Sequence, residues 1–375
     1  MSDHIRVFIA DDSAVVRRIV TDTLRKAPDI EIVGSARNGQ QALELIEVKK
    51  PDVVVLDIEM PVMDGLTALR ELRKTDRRTP VIMFSSLTTR GGVATLDALS
   101  FGASDYVTKP VSAGAMSDSV EYLEKELVPL VLQWGLQSRQ RRIPAAAQMH
   151  PHIPTPVQRP PAKPTPIEII AIGSSTGGPN ALADVLKGIP GDIGVPIVIT
   201  QHMPKLFTKL LAERLDKICP LTVREAVHDA PIQPGEVWIA PGDYHLSLTS
   251  RGGMTYAQLD QGPKENSCRP AVDVLFRSVA KHFGQHCLAV VLTGMGKDGL
   301  EGCRALDKCG APIIVQNEAT CVVWGMPRAV EEAGLANAVL PLTGIADEII
   351  RYAKSKRRPT AKSPSKEPLH LAESI

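Results

Sequence analysis

At 375 residues the chain exceeds one average domain, so two domains and a connection are expected. Apolar residues make up 43% and charged residues 23%, the balance of a soluble globular protein. A net charge of +1 excludes a general attraction to nucleic acid or to an anionic membrane surface. No apolar run approaches the roughly 20 residues of a spanning helix, and the start, MSDHIRVFIADDS, lacks a signal-peptide pattern. Six cysteines, all in the second half and none in a C-x-x-C pair, suit a reduced, cytoplasmic protein.

Short apolar runs alternate with helix-period segments along the first half. RVFIA (6–10), EIVGSA (31–36), VVVLD (53–57), PVIMFSS (80–86) and DYVTK (105–109) read as strands of a parallel sheet. Between them, 13–26 and 39–50 carry apolar residues at helical spacing, the βαβ rhythm of a doubly wound α/β fold. Val120, Leu123, Leu127, Val131 and Trp134 continue that spacing in a closing helix that extends toward RQRR (139–142).

Residues 144–166 hold eight prolines, which remove backbone donors and fix φ, so an extended, semi-stiff linker is expected. The rhythm restarts in IEIIAIG (167–173), VPIVIT (195–200), EVWIAP (236–241), HCLAVVLTG (286–294) and APIIVQ (311–316). EVWIAPGDYHLSLTS alternates around Pro241-Gly242-Asp243 and reads as an antiparallel hairpin added to a mostly parallel sheet. The expected layout is a first domain over 1–125, a helix extension and linker over 126–166, a second domain over 167–355, and a basic disordered tail over 356–375.

Chemistry-bearing residues gather at strand ends. Asp11 and Asp12 follow RVFIA, Asp57 ends VVVLD, Ser85 ends VIMF, and Lys109 precedes Pro110. In an open α/β sheet the carboxyl ends of the strands line the binding crevice. Clustered carboxylates need a cation, and an all-oxygen ligand set favours Mg²⁺. Singly, Asp11 and Asp12 read as helix N-caps and Lys109 as a surface charge. Jointly they read as a phosphoryl-accepting site, with charge on Asp57 met by Mg²⁺, Lys109 and a hydroxyl. ADDS, DIEMPVMDG and YVTKP resemble the response-regulator receiver family over about the first 125 residues. That resemblance implies a flavodoxin-like fold with Asp57 as phosphoacceptor. It also implies Mg²⁺ held by Asp12, Asp57 and the Glu59 backbone carbonyl with Asp11 beside it, and Ser85, Tyr106 and Lys109 as switch residues.

In the second half, IIAIGSSTGGPN (169–180) is an apolar run, a small-residue turn and a helix start. A Walker loop needs lysine where Pro179 stands, and a dinucleotide fingerprint needs glycine where Ser175 stands. Gly173-Ser174-Ser175-Thr176-Gly177 satisfies G-x-S-x-G, leaving a nucleophile turn or a turn that merely packs a helix on a strand. A reactive serine needs a base. Of His202, His228, His245, His282 and His286, His202 follows VPIVITQ at the strand edge that carries Ser175. Asp298, in VVLTGMGKDG, supplies an orienting carboxylate at the same edge. The order Ser…His…Asp differs from that of α/β-hydrolases.

IGSSTGGPNAL, ITQHMP, IAPGDYHL, RPAVDVLF and LTGMGKDG resemble the catalytic domain of the chemotaxis protein-glutamate methylesterase family. The resemblance implies Ser175 as nucleophile, His202 as general base and acid, Asp298 as orienting group, and an oxyanion hole from the backbone N–H groups of Thr176 and Met295. It implies phosphorylation-activated hydrolysis of glutamate methyl esters on bacterial chemoreceptors, and deamidation of specific glutamines, in chemotactic adaptation. A chemotaxis histidine kinase would supply the phosphoryl group and chemoreceptors would be the substrate. The esterase domain would need no cofactor, and the protein would be a cytoplasmic monomer without membrane insertion. Cys268 departs from the histidine expected before Arg269-Pro270 and bears on substrate choice. Two other classes stand beside this one: a non-catalytic binding module, which the intact Ser175, His202 and Asp298 disfavour, and a hydrolase of small metabolites.

Overall fold

The structure, a computed structural model, describes residues 4–110, 116–142 and 165–354. The proline-rich linker and the basic tail expected from the sequence fall mainly outside the described residues. Five strands form the first sheet: β1 (Ile5–Ala10), β2 (Ile30–Ala36), β3 (Val53–Asp57), β4 (Val81–Ser85) and β5 (Asp105–Thr108). All pair in parallel in the order β2-β1-β3-β4-β5. β3 and β4 are buried throughout because helices cover both faces, which is why their sequences are unbroken apolar runs. The strand order reverses between β1 and β3, so Asp11, Asp12 and Asp57 meet at the switch point.

A 27-residue helix, Met116–Arg142, follows this sheet. Leu123, Leu127, Val131 and Trp134 bury one stripe of it against Ile5, Val7 and Ile9, as their spacing requires. The helix continues through Pro129, although proline removes one intrahelical hydrogen bond.

The second sheet contains β6 (Ile169–Ser174), β7 (Ile197–Gln201), β8 (Thr222–Glu225) and β9 (Glu236–Ile239). A two-stranded antiparallel ribbon follows, β10 (His245–Arg251) with β11 (Met254–Asp260), before β12 (Cys287–Val291), β13 (Ile313–Gln316) and β14 (Ala338–Leu340) complete the sheet. Its order is β14-β13-β12-β6-β7-β9-β8, all parallel. The switch point here lies between β6 and β12. β8 and β14, at the two edges, are three or four residues long and carry too few apolar residues to stand out in the sequence.

The hairpin is one strand later than Pro241-Gly242-Asp243. β9 pairs in parallel with β7 and β8, and the reversal is made by Gly252-Gly253 at φ 58° and 78°, where L side chains are strained. A Cβ at Gly242 would come within 2.1 Å of the Lys205 nitrogen, so Pro241-Gly242 packs on a helix start and makes no strand reversal.

The two sheets share buried apolar structure. Leu96 and Leu99, on the helix Thr89–Ser100, join the same core as Phe207 and Leu211 on the helix Lys205–Ile218. Arg214 donates to the Leu96 carbonyl at 2.7 Å and to Ser100 Oγ, and Asn180 Nδ2 donates to the Leu99 carbonyl at 2.9 Å. Tyr106 lies parallel to Phe207 with ring centroids 4.9 Å apart, and Gln137 Nε2 donates to the Val322 carbonyl at 2.9 Å.

Candidate functional site

The first cluster stands at the ends of β1 and β3. Carboxylate oxygens of Asp11, Asp12 and Asp57 lie within 4.8 Å of one another; Asp11 and Asp57 are buried and Asp12 is exposed. Lys109 Nζ bridges the buried pair, 2.9 Å from Asp11 and 2.8 Å from Asp57. Burial pushes the Asp57 carboxyl up to about 6, held back by its Lys109 contact and reinforced by the charge of Asp11. Three carboxylates without sulfur or imidazole suit a hard divalent cation such as Mg²⁺, which would relieve that repulsion.

The switch residues named from the sequence lie close to this cluster or to the second sheet. Ser85 Oγ is buried, accepts from Thr95 Oγ1 at 2.8 Å, and is 3.2 Å from the Gly91 carbonyl. Tyr106 faces the second sheet through Phe207. Glu59 donates its backbone N–H to Asp57 Oδ1 at 3.3 Å. The N-cap of the helix Ala14–Arg25 is Ser13, neither Asp11 nor Asp12, and Asp11 Oδ1 accepts the Ser13 N–H at 2.9 Å.

The second cluster stands at the ends of β6, β7 and β12. Ser174 ends β6 buried, and its hydroxyl donates to Gln201 Oε1 at 2.7 Å. Gln201 Nε2 in turn donates to the Ser175 carbonyl at 2.9 Å, clamping the turn from the neighbouring strand. Ser174 is therefore structural, while Ser175 enters the cleft. The loop after β12 approaches so closely that a Cβ on Gly294 would sit 2.8 Å from the Ser175 Cβ, so glycine is required there.

His202 follows β7, and its Nε2 is 2.8 Å from Asp298 Oδ2. Asp298 is nearly inaccessible and accepts N–H groups from Val272 at 2.6 Å, Asp273 at 3.0 Å and Gly299 at 2.9 Å. Burial works to raise its pKa, but the contact with His202 and the backbone donors outweigh it and hold the carboxyl below the usual range. Burial likewise opposes charging His202, yet the contacts with Asp298 and Cys268 outweigh it and raise the imidazole above its ordinary value, favouring the imidazolium once a proton is taken. Nε2 facing a carboxylate assigns the ring hydrogen to that nitrogen and leaves Nδ1 to exchange a proton. In this resting arrangement Nδ1 faces Cys268 Sγ at 3.5 Å, and among the described residues Ser175 and His202 share no hydrogen bond.

Ser175, Thr176, His202, Met295 and Cys268 line one cleft of about 600 Å³. The backbone N–H groups of Thr176 and Met295 have no protein acceptor among the described residues. The other wall belongs to the first domain: β5 residues Asp105–Thr108, and Tyr122, Lys125 and Leu130 of the long helix. Burial pushes the Asp105 carboxyl up to about 7, opposed by the Tyr106 N–H and the side chains of Trp134 and Thr176.

Three of the remaining candidate histidines are anchored elsewhere. His245 contacts the Pro263 carbonyl and the Ala271 N–H, His228 accepts from the Leu259 N–H, and His286 contacts the Pro166 carbonyl. Sequence reasoning missed Asn266, whose Nδ2 bridges Asp273 Oδ2 at 2.9 Å and Asp298 Oδ1 at 3.0 Å. It missed Gln201 and Asp105 as well. None of the three carries a motif of its own; position at the carboxyl end of β7 could have flagged Gln201, whereas Asp105 opens β5 and gave no such signal.

Residues 7–121 match the response regulator receiver domain family, and residues 170–349 match the CheB methylesterase family. Fold and matches together define a class: a response regulator joined to an esterase-family domain. A protein-glutamate methylesterase/protein-glutamine glutaminase of Trichodesmium erythraeum is 48% identical over 350 residues, covering 92% of this chain and 98% of the relative. A protein of the same name from Nocardioides is 47% identical, covering 94% and 96%. The solved Thermotoga maritima CheB methylesterase catalytic domain is 44% identical, covering 50% of this chain and 99% of that one, with a TM-score of 0.49. This chain belongs to the protein-glutamate methylesterase/protein-glutamine glutaminase family.

Proposed function

We propose that this chain is a phosphorylation-gated protein-glutamate methylesterase and protein-glutamine glutaminase acting on bacterial chemoreceptors from the cytoplasm. The observation that carries the reading is the His202–Asp298 pair in the cleft that Ser175 enters, with the receiver's β5 as the opposite wall. Ser175 Oγ attacks the side-chain carbonyl of a methylated glutamate while His202 Nδ1 takes its proton, and Asp298 stabilises the imidazolium. Thr176 and Met295 N–H groups receive the oxyanion; loss of one such donor costs about 2.7–4 kcal/mol. His202 then protonates departing methanol, or ammonia from a glutamine, and water regenerates Ser175 through the same base.

Control comes from the receiver. Asp57 takes a phosphoryl group from a chemotaxis histidine kinase, and Lys109 meets part of the added charge. Asp11, Asp12, Asp57 and the Glu59 carbonyl would hold Mg²⁺, which when bound supplies further neutralisation of phosphoryl charge. Moving Lys109, Ser85 and Tyr106 from their resting places disturbs the Tyr106–Phe207 contact and opens the cleft.

The test is methanol release from methylated receptor membranes, with and without acetyl phosphate and Mg²⁺. Release should rise with the phosphodonor, stay at its basal level in Asp57→Ala, and vanish in Ser175→Ala. Undiminished release by Ser175→Ala would overturn the assignment of the nucleophile.

A further inference from the structure

Cys268 stands where His202 has its proton-exchanging nitrogen. Its Sγ is 3.5 Å from Nδ1 while Asp298 holds Nε2, so thiol, imidazole and carboxylate form a second nucleophilic relay on the same base. The thiol is held there by built structure. The Cys268 N–H donates to the Glu265 carbonyl at 2.8 Å and the Glu265 N–H to the Cys268 carbonyl at 3.1 Å, closing a turn through Asn266 and Ser267 at φ 49° and 64°. Asn266 ties that turn to Asp273 and Asp298.

The other five thiols lack such a partner. Cys287, Cys303 and Cys321 are buried, and burial pushes all three up. Cys219, half-buried, is pushed up to about 11, and the exposed Cys309 thiol contacts the Ala280 carbonyl at 3.8 Å. Cys268 is partly exposed in the cleft, and the same cleft presents Lys125, Lys205, Lys264 and Arg269. Asp105, Glu126 and Asp243 line the same cleft and Arg269 pairs with Asp243 at 2.6 Å, so charge of both signs surrounds an accessible thiol beside an imidazole, which suits a small polar disulfide.

We propose that Cys268 is an inhibitory modification site for low-molecular-weight polar disulfides, of which glutathione disulfide is the probe. The Cys268 proton passes to His202 Nδ1, and the thiolate attacks one sulfur of the reagent. The reagent's S–S bond breaks, a Cys268–S–S–glutathione bond forms, and the leaving thiolate takes the proton from His202. Cys268 is oxidised and the departing half reduced, so no other oxidant enters. The adduct fills the space beside Nδ1 and bars Ser175 from it; loss of esterase activity rests on the function proposed above.

The full-length protein, unphosphorylated and then with acetyl phosphate and Mg²⁺, is incubated with glutathione disulfide at pH 7. Peptide masses locate the adduct while methanol release is followed in parallel. Cys268 should react about tenfold faster than Cys309, because His202 Nδ1 lies 3.5 Å from its sulfur, placed to take the proton as the sulfur attacks. His202→Gln should remove that advantage without touching Cys309. Methanol release should fall in proportion to the Cys268 adduct and return with dithiothreitol. Equal labelling of Cys268 and Cys309, or full methanol release from the Cys268 adduct, would overturn the proposal. Absence of esterase activity in untreated protein would overturn the functional reading instead, with the masses still deciding the reactivity of Cys268.

Discussion

Tyr106, on the last strand of the receiver sheet, lies flat on Phe207, five residues beyond His202, with rings 5° from parallel. Phe207 sits in the first turn of the helix that starts after His202-Met203-Pro204, so one aromatic contact connects Tyr106, the proposed switch residue, to the segment carrying His202, the proposed base. Such a pair contributes about 0.5–1.5 kcal/mol beyond its area burial. Tyr106→Ala should therefore raise methanol release in the absence of phosphodonor by roughly 2–12-fold, as the closed arrangement loses that much stabilisation. Arg214→Ala, which removes the bonds to the Leu96 carbonyl and Ser100, should act in the same direction. Unchanged basal release in both variants would argue against closure by this interface.

Asp298→Asn tests the orienting carboxylate. The amide can present a hydrogen where the imidazole N–H now donates, which favours the wrong tautomer, so kcat should fall by about 10⁴-fold with little change in KM. A comparable melting temperature would show that the loss is catalytic, although Asp298 also accepts three backbone N–H groups.

Asp105 gives the folded chain a pH dependence of defined sign. Its carboxyl is pushed up to about 7 in the fold against an ordinary 3.8. Between those values the folded state binds more protons than the unfolded state, so stability falls as pH rises from about 4 to about 7. Asp105→Asn removes the titration. Its melting temperature relative to the unmodified protein should climb across that window and level off above it; a constant difference would exclude the effect.

Mg²⁺ should stabilise the receiver through the Asp11, Asp12 and Asp57 cluster. Stabilisation at a hundredfold excess over Kd is about 2.7 kcal/mol, readable as a rise in melting temperature. Asp57→Ala should lose most of that response, and an equal response in the variant would place the ion elsewhere.

Much of this arrangement is legible in the sequence because strand ends are legible. Apolar runs such as VVVLD and CLAVV mark strands buried on both faces, and the residue just past each run must stand at the carboxyl edge. That reasoning reaches Asp57, Ser175 and His202 without any knowledge of strand order. It misplaces the hairpin, because Pro241-Gly242-Asp243 has turn composition whether it reverses a strand or packs against Lys205. It also passes over β8 and β14, where edge strands have little apolar surface to bury.

The sequence by itself determined the two doubly wound units and the residues that end their strands, because strand burial and helical period are written locally in residue type. Only the tertiary structure decided which of those residues meet. Parallel order brings β12 beside β6 and so sets Asp298 against His202 across 96 positions of chain. Packing between the sheets sets Asp105 and Tyr106 against the esterase cleft, and a turn pinned by Asn266 sets Cys268 on His202. Those contacts depend on long-range register and side-chain direction, and no local pattern of residue types encodes either.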